Sequence, residues 1–259
     1  MSDRALVFGS AADAYEQHRL GYPDAVADLV LAYAGPPVAR ALEVGAGTGK
    51  ATRLIAGRMP AGRGPAVTAL EPDPAMAAVL LRTTRGLPVR VAVTTFEAYE
   101  PDEPYDLLFS ASAWHWTDPA SRLDRAAASV RPGGTIALFG SGRAGSGLLE
   151  PDLQAAVVRL RREVLTDETR ATEARGASGT WWPGSELEED ARFTGVEEHD
   201  LPRVVRRTRA EHLAVLGTLS AYLTLAAPER KRLLARIGAV LPDEVEVDAA
   251  VRLHLARRV

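Results

Sequence analysis

Apolar positions along the first 140 residues follow two alternating periods. Short continuous runs at Val38–Val44, Ala66–Leu70, Pro88–Val93, Asp106–Ser110 and Thr135–Gly140 read as buried strands. Between them, helical spacing of apolar residues covers Ala51–Met59, Asp73–Arg85 and Ser121–Val130, and an earlier helix covers Asp24–Ala34 behind Pro23. Turns fall at Gly62–Pro65, Pro101–Pro104 and Arg131–Gly134. Strands alternating with helices predict βαβ units, a parallel sheet and helices on both of its faces.

The pattern changes after Ser141. A glycine- and serine-rich loop to Gly147 leads into a helical stretch at Asp152–Leu165. Glu168–Ser185 is polar and irregular around Trp181, Trp182 and Pro183. Gly195–Arg207 reads as a strand, Thr208 and Glu211 form a capping-box pattern for a helix to Leu216, and Pro228 opens another to Leu241. Alternation over Val251–Val259 fits a final strand. The expected organisation is one domain over 1–259, with residues 1–34 bearing a lid and 141–241 an inserted helical cap over the substrate. Tyr15–Pro23 is unusually rich in large polar and aromatic groups, and reads either as a surface helix and turn or as the lid itself.

Composition narrows the class. The chain has 259 residues, of which 46% are hydrophobic and 25% charged, as in ordinary globular proteins. A net charge of −3 disfavours a generally basic nucleic-acid binder. The absence of cysteine removes disulfides, thiolate metal sites and cysteine nucleophiles, and the scattered histidines lack metal-ligand spacing, so no metal is expected. Neither a signal peptide nor an apolar run of membrane-spanning length is apparent, so a cytoplasmic protein is expected. Lysine occurs only at 50 and 231 against abundant arginine, which fits the codon bias of a GC-rich bacterium.

The richest chemistry lies at Ala41–Gly49, a strand entering a glycine turn before a helix. Gly45, Gly47 and Gly49 allow positive φ and close approach of a ligand to the backbone, and the following helix start favours an electron-rich group. A phosphate-binding loop fails at Val44 and Ala51, and the dinucleotide fingerprint is weakened by Lys50 at its third glycine. An acidic residue followed by alternate glycines remains: Glu43, then Gly45, Gly47 and Gly49.

The segment LEVGAGTG resembles motif I of the class I S-adenosylmethionine-dependent methyltransferases. ALEPDPAM at 69–76, Thr95–Phe96–Glu97, YDLLFSASAWHWTDP at 105–119 and RPGGTIALFG at 131–140 resemble that family's later motifs in order, and YEQHRLGYP resembles the lead-in of many bacterial small-molecule members. The resemblance spans about residues 38–140. It implies a Rossmann-like α/β fold with a seven-stranded, mainly parallel sheet in the order 3-2-1-4-5-7-6, the last strand antiparallel. It also implies methyl transfer from S-adenosylmethionine to carbon, oxygen or nitrogen of a small-molecule substrate, releasing S-adenosylhomocysteine. An RNA-modifying methyltransferase and a non-methylating cofactor binder are the alternatives.

Site roles follow from that resemblance. Glu71, ending the second strand, accepts the ribose hydroxyls. Glu43 receives the cofactor ammonium, directly or through water, or else holds the glycine loop's own N–H groups. Phe96 stacks on adenine or packs in the core, and Glu97 accepts the adenine amino group or is solvated. Arg19 pairs with the cofactor carboxylate. Ser110 or Ala111 turns a backbone carbonyl toward the cofactor amine. Trp114 and Trp116 wall the sulfonium, and His115 is the candidate general base, or packs with them. Tyr15, His18, Tyr22, Trp181 and Trp182 are expected to line the substrate mouth.

Overall fold

The computed structural model describes residues 8–59, 66–141, 147–165 and 184–259. Its centre is a sheet of seven strands: β1 (Ala41–Val44), β2 (Val67–Leu70), β3 (Val89–Ala92), β4 (Tyr105–Ala111), β5 (Val130–Ser141), β7 (Phe193–Leu201) and β10 (Val251–Arg258). The spatial order is β3-β2-β1-β4-β5-β10-β7. Numbered within this sheet alone, that is 3-2-1-4-5-7-6, the expected order. Pairings from β3 through β5 are parallel, and β10 is antiparallel to both β5 and β7.

Two-residue periodicity divides the core between the faces of the sheet. Ala41, Val67, Leu107, Phe109, Ala137, Phe139, Leu253 and Leu255 pack with Val26, Ala27 and Val30 of α2 (Asp24–Ala34) and Ile55 of α3 (Lys50–Ala56). Leu42, Val44, Leu70, Leu108, Ile136 and Leu138 point to the other face, with Ala126 and Ala127 of α5 (Arg122–Ser129) and Leu187 of α7 (Gly184–Glu189). The helix α4 (Pro74–Thr83) starts at Asp73, whose carboxylate accepts from the N–H groups of Ala75 and Met76 at 2.8 and 3.1 Å. Helix α2 is thus core, and of the segment expected to bear a lid the described residues before α2 form α1 (Ala12–His18), whose Ala12 packs on Met76 and Val79 together with Phe8 and Tyr15, and the turn that follows.

A second body sits on the later half. Strands β6 (Gly147–Leu148), β8 (Val204–Thr208) and β9 (Glu244–Asp248) form an antiparallel sheet in the order β6-β9-β8. Helices α6 (Pro151–Arg162), α8 (Arg209–Gly217), α9 (Ser220–Leu223) and α10 (Ala227–Val240) enclose a separate core with it, around Val157, Leu216, Tyr222, Leu233, Ile237 and Val247. The expected capping box opens α8, with Glu211 accepting from the Thr208 N–H at 2.8 Å. The segment 141–241, expected to be a helical insertion, is mixed α/β, and it does not form one continuous body, because β7 joins the main sheet and α7 packs on it. The anticipated strand Gly195–Arg207 is two strands in two sheets. Pro202 lacks the N–H to continue a ladder, and the chain leaves one sheet for the other there.

Candidate active site

The C-terminal ends of β1, β2 and β4 meet around an open cleft, about 700 Å³ when the solvent at its mouth is counted. Ligands bind at this end of parallel strands because the loops diverge there. The glycine turn forms one wall. Its start is tied to the sheet by the Ala46 N–H donating to the Leu70 carbonyl at 2.9 Å. Gly45 has φ of 70°, and a Cβ there would lie 2.4 Å from that of Ala113, so any larger residue collides with the β4 exit loop. Gly49 has φ of 90° and lies against Leu80 of α4, which lets α3 start close to α4. Gly45 and Gly47 line the cleft.

Glu71 lies at the cleft floor. One carboxylate oxygen accepts from the Gly47 N–H at 2.7 Å and the other from the Asp73 N–H at 2.9 Å. Burial lifts its pKa to about 7, with those two N–H groups opposing the shift. Each oxygen keeps a lone pair for a further donor. Glu43 lies beneath, fully buried. Its Oε2 accepts from the Thr52 hydroxyl at 2.5 Å, while Oε1 has no hydrogen-bond partner. Burial pushes this carboxyl up to about 8, the Thr52 hydroxyl opposes, and Glu71 adds to the rise. The Gly47 N–H is held by Glu71, and Glu43 is instead tied to Thr52 on α3.

Phe96 and Glu97 line the far end with Thr94 and Thr95. Phe96 is both core and wall, its ring 6.0 Å from that of Trp114. Glu97 accepts from the Asp118 N–H at 2.8 Å through Oε1, and its Oε2 is buried with no hydrogen-bond partner. Burial alone would raise its pKa, but that hydrogen bond, with its own N–H and the Thr95 hydroxyl, holds it below the ordinary value.

The segment Trp114–Trp116 is a 3₁₀ turn that splits three ways. Trp116 lines the cleft, edge-on to Phe8 at 5.9 Å. Trp114 turns inward instead, buried against Phe96 and Arg122. A 3₁₀ turn advances about 120° per residue, so consecutive side chains cannot share a wall. His115 is not among the cleft-lining residues, and burial, helped by Arg122, lowers its pKa to about 4. A base so weak, placed outside the cleft, is a poor proton acceptor there.

Other expected residues are redistributed. Tyr15 lines the cleft. Tyr22 is edge-on to Phe139 at 4.9 Å and touches the cleft wall only through its hydroxyl, 3.0 Å from Ser112 Oγ. His18 is half-buried and absent from the cleft lining. Arg19 faces the cap, donating from Nε to the Thr218 hydroxyl at 2.7 Å and from Nη2 to the Thr218 carbonyl at 3.2 Å. Ser110 is buried and donates to the Val44 carbonyl at 2.9 Å, so the cleft edge begins one residue later, at Ala111. Trp181 and Trp182 lie outside the described residues. The cleft also takes in Phe8, Met76 and Ser112, which were not singled out from sequence. Ser112 has φ of 56°, rare for a residue with a Cβ and a signal that sequence does not carry.

Comparison with known proteins agrees with this geometry. Residues 41–134 match the family model described as a methyltransferase domain. An uncharacterized methyltransferase of Mycobacterium tuberculosis is 41% identical over 139 residues, 52% of this chain and 52% of that protein. A trans-aconitate 2-methyltransferase of Streptomyces avermitilis is 35% identical over 106 residues, 38% of each chain. The solved structure of a candidate type II methyltransferase from Anaeromyxobacter dehalogenans superposes with a TM-score of 0.60 at 25% identity, covering 93% of this chain and 97% of that one. Residues 41–134 thus match a methyltransferase domain, and the chain as a whole shares the fold of that solved structure. It spans about half the length of the curated relatives it matches. Among the described residues, no helix is long and apolar enough to cross a membrane.

Proposed function

We propose that this protein transfers a methyl group from S-adenosylmethionine to a small-molecule acceptor. The observation that carries this is the convergence on one cleft of Gly45, Gly47, Glu71, Phe96, Glu97 and Trp116, from three consecutive βα units and the β4 exit. The residues present fit the cofactor. Two buried carboxylate oxygens, on Glu43 and Glu97, lack hydrogen-bond partners, and the cofactor's ammonium and adenine amino groups are donors of the kind they would accept. The bound cofactor supplies an electrophilic methyl on a sulfonium, and S-adenosylhomocysteine is the product.

The protein's own part is placement. Glu71 accepts from the ribose hydroxyls while keeping the Gly47 N–H in line. The backbone at Gly45 and Gly47 lets the ligand lie against the turn. Phe96 offers an apolar face for adenine, and Trp116 with Phe8 keeps water from the reacting end. The cap, lying beyond Tyr15 and Tyr22, covers the acceptor. In-line displacement gains most from holding acceptor and methyl close and dry, so no cleft base is required for a nucleophilic acceptor. A trans-aconitate 2-methyltransferase among the relatives supports a small-molecule acceptor.

Incubation with methyl-labelled cofactor and a bacterial metabolite extract tests this. Label should appear in a small molecule, with S-adenosylhomocysteine formed in step. Cofactor binding without any labelled product would leave a non-methylating binder.

A further inference from the structure

Ser112 holds an unusual place at the exit of β4. It has φ of 56°, alone among the described non-glycine residues in being positive, and it lines the cleft. A backbone of that kind persists where its surroundings over-determine it, and two contacts do so here. The Ser112 N–H donates to the Phe139 carbonyl at 2.8 Å, and its Oγ lies 3.0 Å from the Tyr22 hydroxyl. Tyr22 is itself held edge-on to Phe139 at 4.9 Å.

Two hydroxyls that share one hydrogen bond have one proton left over, whichever of them donates. Neither has a second hydrogen bond to a described residue. Burial first, then the neighbouring Tyr15, raises the Tyr22 phenol far above its ordinary pKa, so it stays a proton donor at neutral pH. Ser112 is in the cleft lining and Tyr22 is not. With Tyr22 donating to Ser112 Oγ, the spare proton is that of Ser112, at the cleft.

The described lining holds no lysine, arginine or histidine, so hydroxyls and an indole are the side-chain donors it offers. The Thr117 hydroxyl is spent on the Trp114 carbonyl at 2.7 Å, and Thr94 and Thr95 lie at the far end beside Phe96 and Glu97. Tyr15 and Trp116 also bring donors, but neither side chain has a hydrogen bond to a described residue that would aim it. Strand order sets which ligand the Ser112 proton meets. The residues fitted to the cofactor follow β1, β2 and β3, whereas Ser112 follows β4 and is tied to β5, on the opposite side of β1 from β2 and β3.

We propose that Ser112, oriented by Tyr22, holds the methyl acceptor by donating a hydrogen bond to one of its oxygens. The inference rests on the methyltransferase reading above. Ser112 binds the acceptor and Tyr22 is a positioning residue that acts through it; neither takes part in bond making.

Saturating methyl-labelled cofactor with a dilution series of bacterial metabolite extract tests this, beside calorimetric titration with S-adenosylmethionine. S112A and S112G should each raise the half-saturating extract concentration about threefold to tenfold, as for loss of one neutral hydrogen bond, with cofactor affinity within about twofold. Y22F should shift it less, because Ser112 keeps its proton and loses only its orientation. Glycine relieves the backbone strain that alanine keeps, so equal defects in S112A and S112G tie the loss to the hydroxyl. No shift in either variant would overturn the proposal, as would a defect in S112A that S112G repairs. A matching loss of cofactor affinity in both would give the hydroxyl to the cofactor and overturn it also. No labelled product from the wild type would instead overturn the methyltransferase reading, and this inference with it.

Discussion

The Tyr22 hydroxyl lies 3.0 Å from Ser112 Oγ and joins the lid to the exit of β4 at the one non-glycine residue with positive φ among those described. Ser112 is held there from two sides, since its N–H also donates to the Phe139 carbonyl at 2.8 Å. A residue with a Cβ at positive φ costs about 1–3 kcal/mol, strain found where function needs a fixed backbone. S112A should lose the hydrogen bond and keep the strain, while S112G loses both. S112G should therefore melt higher than S112A, by about 2–4 °C for each kcal/mol of strain relieved. Calorimetric melting of the two variants checks this; equal melting temperatures would mean Ser112 is unstrained.

The neighbours Trp114 and Trp116 should behave oppositely. Trp114 is 4% exposed, within the core on one face of the sheet, so W114A should cost about 3–5 kcal/mol of stability. W116A should leave stability nearly unchanged and impair turnover. Urea unfolding set beside a methylation assay separates the two.

His115 gives a related expectation. A true general base contributes about 10²–10⁴ in rate. With its pKa near 4 and no place in the cleft lining, H115Q should lose far less than that. A fall of a hundredfold in kcat with normal cofactor affinity would restore His115 as the base.

Removing Glu71 should weaken cofactor binding by about 1–3 kcal/mol, from the loss of charged hydrogen bonds. The same change frees the Gly47 N–H, so the glycine turn should also exchange its amide hydrogens faster. Unchanged affinity of E71A by calorimetry would take Glu71 out of the ribose role.

Two raised carboxyl groups set a pH dependence. Unfolded, Glu43 and Glu71 lose their protons near the ordinary value of 4.5; folded, they keep them to about 8 and about 7. The folded protein therefore binds more protons between those limits, and stability without cofactor falls as pH rises from about 4.5 through about 8. E43Q should flatten the upper part of that slope. On the proposal that Glu43 receives the cofactor ammonium as a carboxylate, cofactor affinity should instead rise from pH 6 to pH 8 in the wild type, and rise less in E43Q, where Glu71 alone still titrates in that range.

The main sheet is legible in sequence because parallel strands buried on both faces are continuous apolar runs, bounded here by Pro and Gly. The glycine turn and Glu71 are legible because positive φ and a carboxylate at a strand end leave few alternatives. The strand Glu244–Asp248 was missed although EVEVD alternates plainly, because its partners, β6 and β8, lie about 95 and 40 residues away in sequence. The division of Trp114, His115 and Trp116 depends on the local turn, and the meeting of Tyr22 with Ser112 depends on how the lid reaches the β4 exit. Neither is encoded in local spacing.

Titration of the wild-type protein with S-adenosylmethionine, followed by calorimetry, tests the central claim most directly. One molecule should bind per chain and be displaced competitively by S-adenosylhomocysteine, with E71A binding at least about fivefold more weakly. Absence of saturable binding in the folded protein would contradict the assignment of the cleft.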